Sequence, residues 1–224
     1  MEKNLYNNQD WRKYRMKKKL ILIGAGGFAK SVIDSLDEKR YSIEGFVDNI
    51  KSGSHLGYKI FANNLDELEN KENYCYFISI GDNEKRTYWY KEVVKRNLEI
   101  INVIDKTAIL SENITFGRGI FVGKLAIINN DARIGENVII NTKALIEHGC
   151  RIGNNVNIST NTVLNGDVTV KDNCFVGSSA VINGQLTIDK NSIIGSGTVV
   201  IRDVEKNVVV AGIPARLIRR IENE

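Results

Sequence analysis

Only two of the chain's 224 residues are histidines, His55 and His148, and imidazole is the side chain that exchanges a proton near neutral pH without help from its surroundings. His148 stands in Ile146-Glu147-His148-Gly149-Cys150, with a carboxylate before it and a glycine after it. A solitary histidine is more often a surface residue than a base, so its neighbours must decide. Far earlier, Gly24-Ala25-Gly26-Gly27-Phe28-Ala29 matches G-x-G-x-x-A, where glycines let backbone N–H groups approach a phosphate. Asp48, 24 residues past Gly24, falls where that motif places an acid on a ribose. The chemistry on offer is proton transfer at one place and nucleotide binding at another; the plainer role for the glycines is a tight strand-to-helix turn. Two histidines and no CxxC do not make a zinc site, and no metal is expected.

His148 belongs to a repeat. From Leu110 to Val200 an aliphatic or Phe residue returns at every sixth position through sixteen hexads, and four residues after each comes a second inward residue, from Ile114 through Ala126, Ala144 and Cys150 to Val204. Neither the helical period nor strict alternation explains this spacing, which marks a solenoid. Each hexad is one short strand plus a turn, and three hexads make a coil of 18 residues, about five coils in all. His148 takes a turn position facing away from the core. Asn130 and Gly166 lie one coil before and after it and should stack beside it.

The first hundred residues alternate strand and helix patterns. Lys19–Ile23 is strand-like and runs into the glycine turn, with Val32, Ile33 and Leu36 at helical spacing behind it. Strands are expected at Ile43–Val47, Tyr74–Ile80 and Glu99–Ile104, a short helix at Leu65–Leu68 and a longer one through Glu84–Arg96. The fold class is therefore α/β plus β-solenoid, a small Rossmann-like parallel sheet followed by a parallel β-helix. The expected divisions are an extension over 1–15, taken as disordered although Tyr6, Trp11 and Tyr14 could dock on something, a nucleotide-binding unit over 16–103, the β-helix over 104–204 and a capping tail over 205–224.

The hexads resemble the left-handed parallel β-helix acyltransferases. Together with Gly24-Ala-Gly-Gly-Phe-Ala-Lys30, Phe46-Val-Asp48, Ile80-Gly-Asp-Asn-Glu-Lys-Arg86 and Ile213-Pro-Ala-Arg216, the chain resembles along nearly its whole length the subfamily of sialic acid O-acetyltransferases and bacillosamine-type N-acetyltransferases of UDP-4-amino sugars. The resemblance implies acetyl transfer from acetyl-CoA to the amino group of a nucleotide-linked amino sugar, in a homotrimer with sites between neighbouring β-helices. The nucleotide would lie at Gly24, Gly26, Gly27, Asp48, Gly81 and Asn83. His148 would be the general base, because the Ile-Glu-His-Gly-Cys string is where relatives carry theirs, and Gly166 would offer its N–H to the thioester carbonyl. Relatives follow the histidine with Glu; this chain has Gly149, leaving Glu147 or Asp131 to orient the imidazole. Relatives also carry a histidine nine residues later that contacts the acetyl group, and Asn157 stands there. Gly177, Ser178 and Gly195 would let the pantetheine arm lie along the solenoid, with Arg216 on its phosphates; the plainer reading of Arg216–Arg220 is a solvated helix face capping the solenoid, and the two roles can coexist.

Other functions remain open from sequence: O-acetylation of sialic acid or another surface sugar, a non-catalytic sugar-nucleotide-binding scaffold, or an NAD-dependent enzyme, although a sheet ending near residue 104 is half a dinucleotide fold. Related coils in γ-class carbonic anhydrases need three zinc-bound histidines, and the outward positions here lack the Thr-rich faces of ice-binding coils. The net charge of +4 is too mild to point to nucleic acid. No apolar run approaches the roughly 20 residues of a membrane span, and Leu20–Ile23 is too short for a signal-peptide core, so a cytoplasmic protein is expected. Cys75, Cys150 and Cys174 are expected to be buried free thiols.

Overall fold

The chain changes its apolar spacing once, and the architecture changes with it. The computed structural model describes residues 16–222; the expected extension over 1–15 lies outside them. Strand β1, Lys18–Ile23, is apolar on both faces from Leu20 onward and fully buried there, as a central strand must be. It ends at Gly24, whose φ of 99° suits glycine and whose bare Cα lets Ile80 close in: a Cβ there would lie 2.3 Å from Ile80 Cγ1. Helix α1 (Phe28–Asp34), strand β2 (Tyr41–Val47), the short strands β3 (Ser54–His55) and β4 (Tyr58–Ala62), strand β5 (Cys75–Ile78), helix α2 (Asn83–Lys95) and strand β6 (Glu99–Ile100) follow. The sheet order is β3-β4-β2-β1-β5-β6, parallel except for the β3–β4 edge hairpin.

Three details depart from the sequence-based expectation. Leu65 and Leu68 are buried but not helical, because the Asn64 side chain takes the N–H groups of Asp66 and Glu67 at 2.9 and 3.1 Å and holds the segment in turns. The β3–β4 hairpin was not anticipated; its turn is Leu56-Gly57, both at positive φ. The expected strand Glu99–Ile104 is divided, since Val103–Ile104 pairs with Phe121–Val122 and starts the solenoid instead.

From there the backbone lays down two-residue strands in three parallel faces. The first face has 6 such strands from Val103–Ile104 to Ile193–Ile194, extended to an 8-stranded sheet by Val208–Ala211 and Arg216–Arg220; the second runs from Ile109–Leu110 to Val199–Val200 in 6 strands, and the third from Thr115–Phe116 to Thr187–Ile188 in 5. Pairing is at a spacing of 18 residues, as in Phe121↔Ile139, Ile127↔Leu145 and Arg133↔Arg151. The hexad aliphatics and small residues are buried in one core cluster. Ile114, Phe116 and Leu186 are only partly buried, and Leu110, on the first strand of the second face, is 37% exposed. Cys150 and Cys174 are buried free thiols in that core, as is Cys75 in the sheet. Burial pushes them up to about 11, 12 and 11, which makes them inert. Arg216–Arg220 is an exposed strand, antiparallel to Val208–Ala211, and not the helix face considered from sequence.

One corner carries an amide ladder. Asn137, Asn155, Asn173, Asn191 and Asn207 all adopt φ between 57° and 59°, and each side-chain amide donates to the next at 2.9, 3.0, 3.0 and 2.9 Å. Asparagine tolerates this left-handed turn, and its side chain ties successive coils together. Replacing Asn173 by Ala removes two rungs and puts a Cβ-only residue at positive φ; thermal unfolding should show a loss of about 1–3 kcal/mol, and an unchanged midpoint would show that the ladder carries no stability.

Candidate active site

The sheet and α2 enclose a pocket of about 600 Å³, with Gly26, Gly27 and Asp48 on one side and Gly81, Lys85 and Tyr88 on the other. The glycines in it have different reasons. Gly24 is fixed by the close approach of Ile80. A Cβ on Gly26 or Gly27 would meet nothing within 4 Å, and one on Gly81 only Phe28 Cβ at 4.0 Å; neither packing nor, at Gly27, an unusual φ requires glycine there.

Asp48 lines the pocket, but its carboxylate is already engaged. Oδ2 accepts from the Ala25 N–H at 2.7 Å, and Oδ1 accepts from the Ile50 and Lys51 N–H groups at 2.9 and 2.8 Å. Burial pushes this carboxyl up, yet the three N–H groups and the Lys51 ammonium outweigh it and hold the group below its ordinary value. Lys51 Nζ donates to the Ala25 carbonyl at 2.6 Å, and His55 Nε2 lies 3.3 Å from the Gly26 carbonyl. The first task of Asp48, Lys51 and His55 is thus to hold the glycine loop in shape.

The far wall of the pocket is fastened to the solenoid by Arg86, which is 1% exposed. Its guanidinium donates to Gly81 O at 3.0 Å, Asn83 Oδ1 at 2.9 Å, Asn155 O at 3.1 Å and Asn137 O at 3.3 Å. None of these acceptors is a carboxylate, and burial brings the group down to about 10. Asn83 Nδ2 donates to Cys174 O at 3.2 Å and Asn157 Nδ2 to Gly81 O at 3.4 Å. Both asparagines therefore serve the joint between sheet and solenoid. Asn157, expected against the acetyl group, is only 7% exposed; nine residues is half a coil, so it stands on the first face while His148 occupies the corner between the second and third.

At that corner the 18-residue column forms as expected. Gly149 N–H donates to Asn130 O at 3.0 Å, Asp167 N–H to His148 O at 2.9 Å, and Gln185 N–H to Gly166 O at 2.8 Å. His148 is exposed, and its ring lies across Gly166: a Cβ on Gly166 would be 2.6 Å from His148 Cε1 and 2.7 Å from Nε2. The Gly166 N–H has no hydrogen-bond acceptor among the described residues. Glu147 points back a coil, accepting from Asn129 Nδ2 at 2.9 Å, and Asp131 accepts from Asn130 Nδ2 at 3.3 Å; among the described residues neither bonds the imidazole. Gly177, Ser178 and Gly195 line the other edge of the second face, and Arg216 is exposed on the terminal hairpin. Lys51 and Tyr88, at the pocket, and Asp167, at the column, were not anticipated as site residues. For Asp167 a signal existed: it lies one coil beyond Gly149.

Residues 19–93 match the family model described as the PglD N-terminal domain, and residues 131–166 match the bacterial transferase hexapeptide model (six repeats). Among solved structures, the chain is similar to a perosamine N-acetyltransferase from Caulobacter crescentus, a variant with one histidine replaced by asparagine, in complex with CoA and GDP-perosamine; it is 30% identical with a TM-score of 0.84 over 89% of this chain and 96% of that one. The acetyltransferase domain of PglB from Neisseria gonorrhoeae, in complex with acetyl coenzyme A, is 26% identical with a TM-score of 0.84 over 90% and 100%. An uncharacterized protein of Acanthamoeba polyphaga mimivirus is 32% identical over 102 residues, 46% of this chain, and the chain spans 20% of that relative's length. With a sugar-acetyltransferase neighbour matched over both units and both family models in the expected order, the chain belongs to the hexapeptide-repeat transferases that carry a PglD N-terminal domain, and it is an acyltransferase.

Proposed function

We propose that the chain transfers the acetyl group of acetyl-CoA to the amino group of a nucleotide-activated amino sugar, with His148 as general base. The observation that carries this is the His148 ring lying across bare Gly166, beside an N–H with no acceptor among the described residues. The acceptor amine attacks the thioester carbonyl carbon while His148 takes its proton; the carbonyl oxygen, now carrying charge, accepts from Gly166 N–H. Collapse of this intermediate breaks the C–S bond, and the proton on His148 passes to the departing thiolate, leaving amide and free CoA. The C. crescentus enzyme was solved with CoA and a GDP-linked sugar, and the N. gonorrhoeae domain with acetyl-CoA, which supports both co-substrates.

The nucleotide takes the sheet pocket. Gly26, Gly27 and Gly81 present bare backbone to it that no described residue fills, and Lys51 and Lys85 supply cations for a diphosphate. The outward residues of the second face, Ile109, Ile127, Leu145, Val163, Val181 and Val199, are all apolar and incompletely buried. This stripe supports a homotrimer in which the His148 edge of one copy meets the Gly177–Ser178–Gly195 edge of another, forming the pantetheine groove, with Arg216 near its phosphates.

Two outcomes follow. His148→Ala should reduce CoA release in the presence of a nucleotide amino sugar by about 10²–10⁴-fold, read with a thiol reagent; unchanged release would contradict the general-base role. Val163→Arg puts a charge in the middle of the apolar stripe and should shift sedimentation from trimer to monomer with loss of turnover; a trimeric variant would show that the copies meet elsewhere.

A further inference from the structure

A base that accepts a proton beside a thioester becomes a cation, and a neighbouring carboxylate stabilises that cation without itself taking the proton. Three carboxylates stand on the turns around His148. Glu147 is held by Asn129 and Asp131 by Asn130. Asp167, the third, is exposed and accepts no hydrogen bond from a described residue. The charged groups on the strands that follow these turns, Arg133 and Arg151, are exposed on the third face.

The position of Asp167 is unusual because of what faces it. Residue 149 is a glycine at φ 68°, and a Cβ there would lie 2.1 Å from Asp167 Oδ1 and 3.2 Å from Asp167 Cγ. The volume that a side chain directly after His148 would need is therefore filled by a carboxylate from the next coil. Meanwhile the His148 ring occupies the volume that a side chain at 166 would need. Imidazole reaches forward one coil onto bare Gly166, and carboxylate reaches back one coil onto bare Gly149, between two turns tied by Asp167 N–H to His148 O at 2.9 Å. Either glycine, given a side chain, would expel one of the two groups.

We propose that Asp167 is the positioning residue of the acetyl transfer, holding beside His148 the negative charge that the base needs as it becomes imidazolium. This rests on His148 being the base. Asp167 stays ionised throughout: the proton moves from the acceptor amine to His148 and on to the CoA thiolate.

The decisive variant is Asp167→Asn, which keeps shape and removes charge, with Asp167→Glu as the conservative return. Loss of a nearby negative charge disfavours imidazolium, so the acid limb of the kcat/KM profile of Asp167→Asn should move to lower pH by about 0.5–1 unit while plateau kcat falls about tenfold, with KM for acetyl-CoA little changed. Asp167→Glu should restore most of both. The His148 ring resonances, assigned by their loss in His148→Gln, should titrate at lower pH in Asp167→Asn by the same amount, a readout that needs no turnover. An unmoved limb and titration, with His148→Ala still inactive, overturn the role of Asp167 and leave the base in place. A shifted titration with His148→Ala fully active overturns the base itself, and the proposal with it.

Discussion

The histidine column depends on one constraint: the two-residue strands of each coil find their backbone partners in the coils above and below, at a spacing of 18 residues. A slip of one residue would turn the inward aliphatics out and break every rung at once. The spacing is held from inside by stacked aliphatic layers and at one corner by five stacked asparagines. Because the register is rigid, a residue's neighbour above and below is decided by counting, and a functional group can be placed by emptying the position beside it. Gly149 and Gly166 are such emptied positions, one beneath a carboxylate and the other beneath an imidazole.

The second constraint is the joint that Arg86 makes. A buried guanidinium without a carboxylate partner is costly to desolvate and survives only where its donors are well satisfied, here by three carbonyls and one amide oxygen. Two of those carbonyls belong to the asparagine ladder and one to the pocket wall, so the ladder's register is passed directly to Gly81 and to α2. The sheet also shares core with the solenoid: Phe28 packs edge-on against Phe121 at 5.0 Å, and Phe121 and Ile139 belong to the sheet's own apolar cluster. The sheet pocket and the His148 column are thus parts of one packed body.

Much of this was legible in the residues. A six-residue period has one structural meaning, and its threefold multiple puts Asn130, His148 and Gly166 in a column from spacing alone. The strand–glycine–helix start of the chain was legible for the same reason, a change of period at a punctuating residue. What escaped is local competition and side-chain reach. The turns around Leu65 follow from Asn64 bonding its neighbours, which apolar spacing does not register. The three N–H partners of the Asp48 carboxylate come from folding, so its part in holding the glycine loop was not legible. The Asn157 bond to the Gly81 carbonyl likewise follows from how sheet and solenoid pack, which the residue pattern does not register. The approach of the Asp167 carboxylate to bare Gly149 depends on side-chain reach across one coil, which spacing alone does not give.

On the proposed function, the sheet pocket and the histidine column serve a single reaction at the His148–Gly166 corner. The most direct measurement is a crystal structure of the assembled protein with CoA and a nucleotide amino sugar. The account predicts the nucleotide against Gly26, Gly27 and Gly81, with the sugar amine within about 3.5 Å of a His148 ring nitrogen. A bound nucleotide whose amine points away from that corner would contradict it.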